Sequence, residues 1–382
     1  MSLKIAFLTP EYPHSKIKHA AGIGTSIKNL AVALAAKGVA ITVFVYGQNT
    51  AEVFEDEGVT IHLIANKHYR FGKWFFYRKY IENYVNKAIK ETGIQLLEAP
   101  DWTGITAFMN FCVPLIIRFH GSDTYFCHLE QRKQKRKNYW FEKLAVMKAK
   151  AFIAPTVFAG NLTAQLFNVL PNKVTTIHNG LELNKFINNQ PEVYEEGVLL
   201  YIGTLIRKKG VLELPEIFHR VREACPNAKL ILIGSDSGDV QTGNSSTWKL
   251  LQSELSEEDK EAVTYLGKIP YEQVQEFIKR AHVCIFPTFA ETLGMVTIES
   301  MALQKPVVNS NIGWSQELME DGKSGFLVHP KAHEAYAATI VRVLQDRHLS
   351  KSMGQEARKY VEKYFDIATI AEQNIEFYKK MI

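Results

Sequence analysis

Short apolar runs alternate with longer amphipathic stretches along nearly the whole chain, and this alternation most constrains its fold. In the first half the runs fall at 5–8, 41–46, 60–64, 94–97, 115–119, 151–154 and 174–177, with helical periodicity at 25–37, 74–91, 140–150 and 158–167. In the second half strands are expected at 198–202, 230–233, 263–266, 283–286, 307–309 and 326–328, again with helices between. Strands that alternate with helices make βαβ units and a mostly parallel sheet. Two such series in 382 residues imply two cores. The expected fold class is α/β, with two Rossmann-like doubly wound domains facing each other across a cleft. The polar, proline-containing stretch 184–197 reads as the join. The expected divisions are therefore a domain at 1–186, a domain at 187–364, and an amphipathic helix at 365–382 packing back on the first domain.

The densest chemistry lies at Phe286-Pro-Thr-Phe-Ala-Glu291-Thr-Leu-Gly294-Met-Val-Thr-Ile-Glu299. A buried strand ends at Pro287, and a helix is expected from Gly294 to Leu303, stopped by Pro306. Glu291 then lies in the strand-to-helix turn and Glu299 about one and a half turns into the helix. A turn of this kind exposes backbone N–H groups at a helix start, a ready anion site. Carboxylates on either side suit a ligand with hydroxyls flanking a phosphate, as in a nucleotide-sugar.

Three other segments converge on such a ligand. Ala21-Gly22-Ile-Gly24-Thr opens the first helix, where glycines let backbone approach a phosphate. It lacks the G-x-G-x-x-G spacing, and no acidic residue ends the second strand, which argues against a nicotinamide enzyme. His120-Gly121 follows a strand, at the ligand edge of this architecture. In Gly203-Thr204-Leu-Ile-Arg207-Lys208-Lys209-Gly210, three cations precede a helix and would neutralise a diphosphate. Asp236-Ser-Gly-Asp239 reads as a turn.

The net charge of +5 hides a division. Residues 1–190 hold 23 Lys+Arg against 13 Asp+Glu, a net of +10, and residues 191–382 hold 22 against 27, a net of −5. The first half is thus expected to face something anionic. Two clusters carry much of the charge: Arg132-Lys-Gln-Lys-Arg-Lys137, and Lys67-His-Tyr-Arg70-Phe-Gly-Lys73-Trp-Phe-Phe-Tyr-Arg78-Lys79-Tyr80, where cations alternate with aromatics. An anionic membrane surface fits that mixture better than nucleic acid. A solvated helix face over a few buried aromatics is the competing reading. The first strand follows the N-terminus directly, without a signal-peptide pattern, and the four cysteines form no close metal-ligand pair. A cytoplasmic location, peripheral at the inner membrane face if the patch docks there, is the expectation.

Taken together these segments resemble the retaining, nucleotide-sugar-dependent glycosyltransferases of GT-B architecture, the group 1 or family four type. Ala21 to Thr25 resembles the family's glycine-rich loop, and His120-Gly121 its His-Gly. His178-Asn179-Gly180-Leu-Glu182 resembles its Asn-Gly-hydrophobic-Asp segment, with glutamate for aspartate. Glu291 to Glu299 resembles its E-x7-E motif. The resemblance implies that Glu299 holds the ribose hydroxyls and Glu291 the donor sugar. It implies that Lys209 and the N–H groups of residues 292–294 bind the diphosphate, with Gly22 and Gly24 closing over it, and that His120 approaches the sugar. Gly203 carries the family's glycine, but Thr204 stands where the family often has arginine, so Arg207 or Lys208 is expected to supply that cation. The implied reaction moves a hexose, from a UDP-sugar by family habit, to a hydroxyl of a glycan or lipid-linked acceptor, with retention and without a metal or other cofactor. A nucleotide-sugar epimerase or hydrolase, and a non-catalytic nucleotide-sugar-binding module, remain open as alternatives.

Overall fold

A computed structural model of the chain describes residues 3–18 and 20–382. The chain divides into two compact units, Met1–Glu182 with Asp366–Ile382, and Leu183–Phe365. Each unit is a parallel sheet with helices on both faces, the first carrying one antiparallel strand at its edge.

The first unit holds β1 (Lys4–Thr9), β2 (Ala40–Gln48), β3 (Glu52–Asp56), β4 (Val59–Ala65), β5 (Leu96–Pro100), β6 (Leu115–Arg118), β7 (Ala151–Ala154) and β8 (Val174–Thr176). Their order is β3-β4-β2-β1-β5-β6-β7-β8. Inner strands of such a sheet bury both faces and so read as continuous apolar runs. Ile5, Phe7, Ile41 and Val43 pack on one face against Ile27, Leu30 and Leu34 of the helix Gly22–Ala36. Ala6, Leu8, Phe44 and Ile117 pack on the other against Ile81 and Val85 of the helix Lys73–Thr92.

Three elements of this unit depart from expectation. β3 pairs antiparallel with β4. Its sequence Glu-Val-Phe-Glu-Asp is that of a half-solvated edge strand. The two linking residues, Glu57 and Gly58, both have positive φ, the geometry of a tight primed hairpin turn. β5 lies at Leu96–Pro100 rather than 94–97, because Glu98 sits inside the strand, buried against Arg118. The helix Asp123–Leu129 was not expected in the loop after His120; the Ser122 hydroxyl caps it by accepting from the Tyr125 N–H.

The second unit holds β9 (Val198–Ile202), β10 (Lys229–Ile233), β11 (Val263–Tyr265), β12 (Val283–Phe286), β13 (Val307–Asn309) and β14 (Phe326–Leu327). Their order is β11-β10-β9-β12-β13-β14, parallel throughout. Numbered within the unit this is the doubly wound order 3-2-1-4-5-6, whose direction reverses between β9 and β12. In the first unit the reversal falls between β1 and β5. Ligand crevices of open α/β sheets form at the carboxyl ends of the strands flanking such a reversal.

After the helices His333–Gln345 and Arg347–Tyr364 the chain returns to the first unit as the helix Ile367–Met381. The Ile367 N–H donates to the Leu181 carbonyl at 3.1 Å. A Cβ at Gly180 would press on Ile367, so the Asn179-Gly180 pair has a packing reason for its glycine. Ile370, Phe377 and Tyr378 of this helix join the core beside Ile5 and Phe7.

Candidate functional site

In the second unit the loops after β9 and β12 meet at the reversal. Gly203 leaves β9 with φ of 152°, where a Cβ would stand 3.0 Å from the Tyr201 hydroxyl. The chain then makes a single helical turn over Arg207–Lys209 and closes on Gly210 at φ of 70°. Gly210 lies flat against the Pro287 carbonyl and leaves no room for a side chain. The N–H groups of Phe289 and Ala290 both donate to the Lys208 carbonyl, at 2.8 and 3.2 Å. These contacts stitch the basic turn to the loop after β12 and bring the Lys209 ammonium onto Glu291 as an ion pair.

Burial by itself would raise the Glu291 pKa, but the Lys209 charge and hydrogen bond, with Lys208 behind, outweigh it and hold the carboxyl below its ordinary range. Glu299 stands in the opposite situation. It lies in the second turn of the helix Met295–Ala302, which Gly294 opens at φ of 101°. The Tyr271 hydroxyl donates to its Oε1 at 2.7 Å, and no cation pairs with it among the described residues. Burial pushes its pKa up to about 7. Paired carboxyls driven apart by their surroundings take different tasks. The sign of the Glu299 shift sets a stability test. Its folded value lies above the ordinary 4.5, so the fold holds a proton that the unfolded chain gives up, and stability falls from about pH 4.5 to 7. Glu299→Gln is expected to flatten that slope and to melt higher than the parent at pH 8 but not at pH 4.5, by up to about 3 kcal/mol. Parallel melting curves at the two pH values would count against it.

Arg207 behaves differently from the cation expected at this turn. Its Nε and Nη2 fork onto the two carboxylate oxygens of Asp239, both at 2.8 Å. Asp239 is buried and also accepts from the Thr242 hydroxyl at 2.7 Å, and these partners hold it well below the usual carboxylate range. The 236–239 turn is thus tied down by Arg207. Leu293 is buried, and the Thr292 N–H points to Glu291 Oε2 at 3.3 Å.

In the first unit, Gly22 is the first residue of its helix, with open space around the position of a Cβ. Gly24 donates its N–H to Glu11 Oε1 at 2.8 Å, and a Cβ there would stand 3.0 Å from the Glu11 backbone. The glycine at 24 therefore lets the helix start press on the loop after β1. His120 follows β6, and its N–H donates to Asp101 Oδ1 at 2.9 Å. Burial, then the Arg118 charge, pushes His120 down to about 3, so its imidazole is neutral at neutral pH. Asp101 follows β5 at the reversal, 1% exposed, with Oδ2 buried and without a hydrogen-bond partner. Burial pushes its carboxyl up to about 7.

The structure thus gathers Gly203, Arg207, Lys208, Lys209, Glu291, Thr292, Leu293, Gly294 and Glu299 at one edge of the second unit. Gly22, Gly24 and His120 occupy the corresponding edge of the first. Sequence reasoning missed Glu11, Asp101, Asp239 and Tyr271. Asp101 had a readable signal, an acid directly after a strand, obscured because that strand was expected to end three residues earlier.

The two basic clusters also come together in the first unit. Trp74, from the first, packs on Phe141 of the helix Arg136–Lys148 with ring centroids 5.4 Å apart. The Lys137 ammonium stands 5.5 Å from the Phe141 ring, and the Arg78 guanidinium 4.6 Å from it. Phe71 and Trp140 are exposed by 76% and 58%. No helix among the described residues is long and apolar enough to cross a membrane.

Comparison with known proteins agrees with this architecture. The family described as glycosyl transferases group 1 matches residues 184–360, and glycosyltransferase family 4 matches residues 20–185. An uncharacterized glycosyltransferase of Methanocaldococcus jannaschii is 25% identical over 99% of this chain and 98% of its own. Among solved structures, the sucrose-phosphate synthase of Thermosynechococcus elongatus superposes with a TM-score of 0.81 at 22% identity, over 99% of this chain and 98% of its own. Anabaena HepE, in complex with UDP and glucose, superposes with a TM-score of 0.77 at 18% identity, over 99% of each chain. With the two family matches adjoining at the boundary between the units and a relative aligned almost end to end, the chain belongs to the group 1 glycosyltransferases.

Proposed function

We propose that the protein transfers a hexose from a nucleotide diphosphate sugar, with a UDP-sugar favoured, to a hydroxyl of a glycan or glycolipid, retaining the anomeric configuration, in the synthesis of a cell-surface polysaccharide. The observation that carries this reading is the split carboxyl pair at the β9–β12 reversal, with Glu291 ionised against Lys209 and Glu299 held by Tyr271. Glu299, on losing its proton, would accept from the ribose hydroxyls. Glu291 would accept from a sugar hydroxyl, and Lys209 with the N–H groups of the helix start would take the diphosphate. The bond from the anomeric carbon to the phosphate oxygen breaks as the bond to the acceptor oxygen forms on the same face. The acceptor's proton passes to the departing phosphate. The chain's part is to stabilise that leaving charge and fix the approach. His120, uncharged, would meet a sugar hydroxyl without adding a cation. Lysine and backbone dipoles then supply the neutralisation, and transfer is read as metal-independent. A fold neighbour solved with UDP and glucose supports the choice of base. A melting-temperature panel of nucleotides and nucleotide-sugars tests the reading, since a ligand of the folded state raises stability. A rise with UDP-sugars but not GDP-sugars, and transfer that survives EDTA, are the expected results. No rise with any nucleotide, or epimer formation without acceptor, would replace the reading.

The joined aromatic–basic patch further supports a lipid-linked acceptor met at an anionic bilayer. Exposed Phe71, Trp74 and Trp140 would sit among the head groups while the surrounding lysines and arginines meet lipid phosphates. Segments 67–80 and 131–141 contain no aspartate or glutamate. Neutralising Lys133, Lys135, Arg136 and Lys137 together should weaken binding to phosphatidylglycerol vesicles by roughly 10²-fold, at about 1 kcal/mol per charge less screening. Nucleotide affinity should stay unchanged. Equal vesicle binding by parent and variant would remove the membrane from the proposal.

A further inference from the structure

At the amino edge of the second unit's sheet, opposite the loops that carry Lys209 and Glu291, lies a small recess open to solvent. Its walls come from residues 191–194 before β9, residues 304–306 before β13, and the first turns of the helix Arg347–Tyr364. Its floor is Lys305, 1% exposed. A buried ammonium is expected to have a carboxylate partner, because taking a charge out of water is costly unless it is paired and hydrogen-bonded. Lys305 has none among the described residues. One of its three N–H bonds meets the Pro191 carbonyl at 3.3 Å, and its Nζ stands 5.1 Å from the Tyr194 ring.

The rest of the lining does not supply the missing charge. Glu192 is the recess's one carboxylate, and it is paired with Lys351 at 2.6 Å. Arg347 adds a second cation, exposed and without a partner among the described residues. The Ser350 hydroxyl and the Gln355 amide add neutral donors. Three cations against one carboxylate leave a local excess of two positive charges. Burial first, then Lys305 and Arg347, push the nearby His282 imidazole down to about 4. The helix end is not the attraction, since Asp346 already caps it by accepting from the Leu349 N–H at 2.9 Å.

We propose that this recess is a binding site for a single phosphate group, with Lys305 and Arg347 as its two charged ligands. An oxyanion there would give Lys305 the counter-charge that the protein withholds, and would tie residues 304–306, next to the Glu299 helix, to the helix Arg347–Tyr364. Two charged ligands beside a few neutral donors suit one oxyanion, so the ligand is inorganic phosphate or the phosphate of a small sugar ester. The alternative is a deprotonated Lys305 with a packing role only; burial does push its pKa down, to about 8.

The test titrates the intact protein with sodium phosphate, and separately with glucose 6-phosphate, against sodium chloride at equal ionic strength and with UDP present throughout. Melting temperature and isothermal calorimetry are the readouts. The expected result is a saturable response to phosphate that UDP does not remove, absent in Lys305→Met and about tenfold weaker or more in Arg347→Ala. Methionine keeps most of the unbranched side chain while removing the ammonium; Arg347 lies on the surface, so its variant keeps the test alive should Lys305→Met fail to fold. Tighter binding of glucose 6-phosphate would identify a sugar ester as the ligand, and equal binding would identify the phosphate alone. No response in the parent, equal responses in parent and variants, or loss of the response with UDP would overturn the site. None of these outcomes depends on whether the protein transfers hexose.

Discussion

Exchanging Lys209 for methionine is expected to reduce sugar transfer by roughly 10²–10³-fold in kcat, the scale seen when one preorganised charge stabiliser is removed from a developing anion. Affinity for the intact nucleotide-sugar should fall by less, because the donor is already charged in the ground state while the leaving diphosphate gains charge only as the bond breaks. Lys209 has a second task. It is the main counterweight to the burial of Glu291, whose side chain is 21% exposed. Breaking a buried pair by removing one partner costs about 3–5 kcal/mol, less where water reaches the pair. Lys209→Met should therefore also melt lower and bring the Glu291 carboxyl up. The double variant Lys209→Met, Glu291→Gln separates the two tasks. It should recover most of the lost stability, with the carboxylate gone, and none of the activity. Full activity in Lys209→Met, or activity restored in the double variant, would place the leaving-group charge elsewhere.

Replacing Arg118 with methionine should be the most destabilising single change in the first unit, at about 3–5 kcal/mol. Arg118 and Glu98 are 3% and 2% exposed and face each other across β5 and β6. The guanidinium Nε donates to Glu98 Oε1 at 2.6 Å, and Nη2 donates to Glu98 Oε2 at 3.1 Å and to Asn374 Oδ1 at 2.6 Å. The Tyr378 hydroxyl completes the set, donating to Glu98 Oε2 at 2.6 Å. Asn374 and Tyr378 belong to the C-terminal helix, so the network clamps that helix to the sheet. With Arg118 gone, Glu98 would stay buried with one hydroxyl donor. A loss of that size is a large part of a typical domain's stability. Urea unfolding should show it, and limited proteolysis should release the segment after Phe365 sooner. Adding Glu98→Gln to Arg118→Met should recover part of the loss. An unchanged unfolding midpoint in the single variant would mean that the network contributes specificity without stability.

Both predictions rest on partners separated widely in the chain, and that separation marks what was legible beforehand. The strands Val198–Ile202, Val283–Phe286 and Val307–Asn309 lie where their apolar runs place them, because a strand buried on both faces is read from its own residues. Glu291 and Glu299 were readable for a related reason. A strand, a proline and a helix start within a few residues already dictate a turn with exposed N–H groups. β3 was missed because an edge strand wets one face and because its hairpin turn is Glu-Gly rather than the usual Asn-Gly. β5 was displaced because Glu98 inside it looks like a loop residue until Arg118 is set opposite.

The role of Arg207 shows the same limit inside the site. Three adjacent cations at 207–209 are equivalent as text. In the fold, Arg207 forks onto Asp239 while Lys209 meets Glu291. Sequence by itself determined the two α/β series, their helix starts and the two carboxylates, since hydrophobic period and turn chemistry act over a few residues. Only the tertiary structure decided which cation meets which carboxyl, which glycine serves packing, and that Glu291 is driven down while Glu299 is driven up. Those outcomes depend on burial and on neighbours delivered by strand order, and parallel strands bring together loops that lie tens of residues apart in the chain.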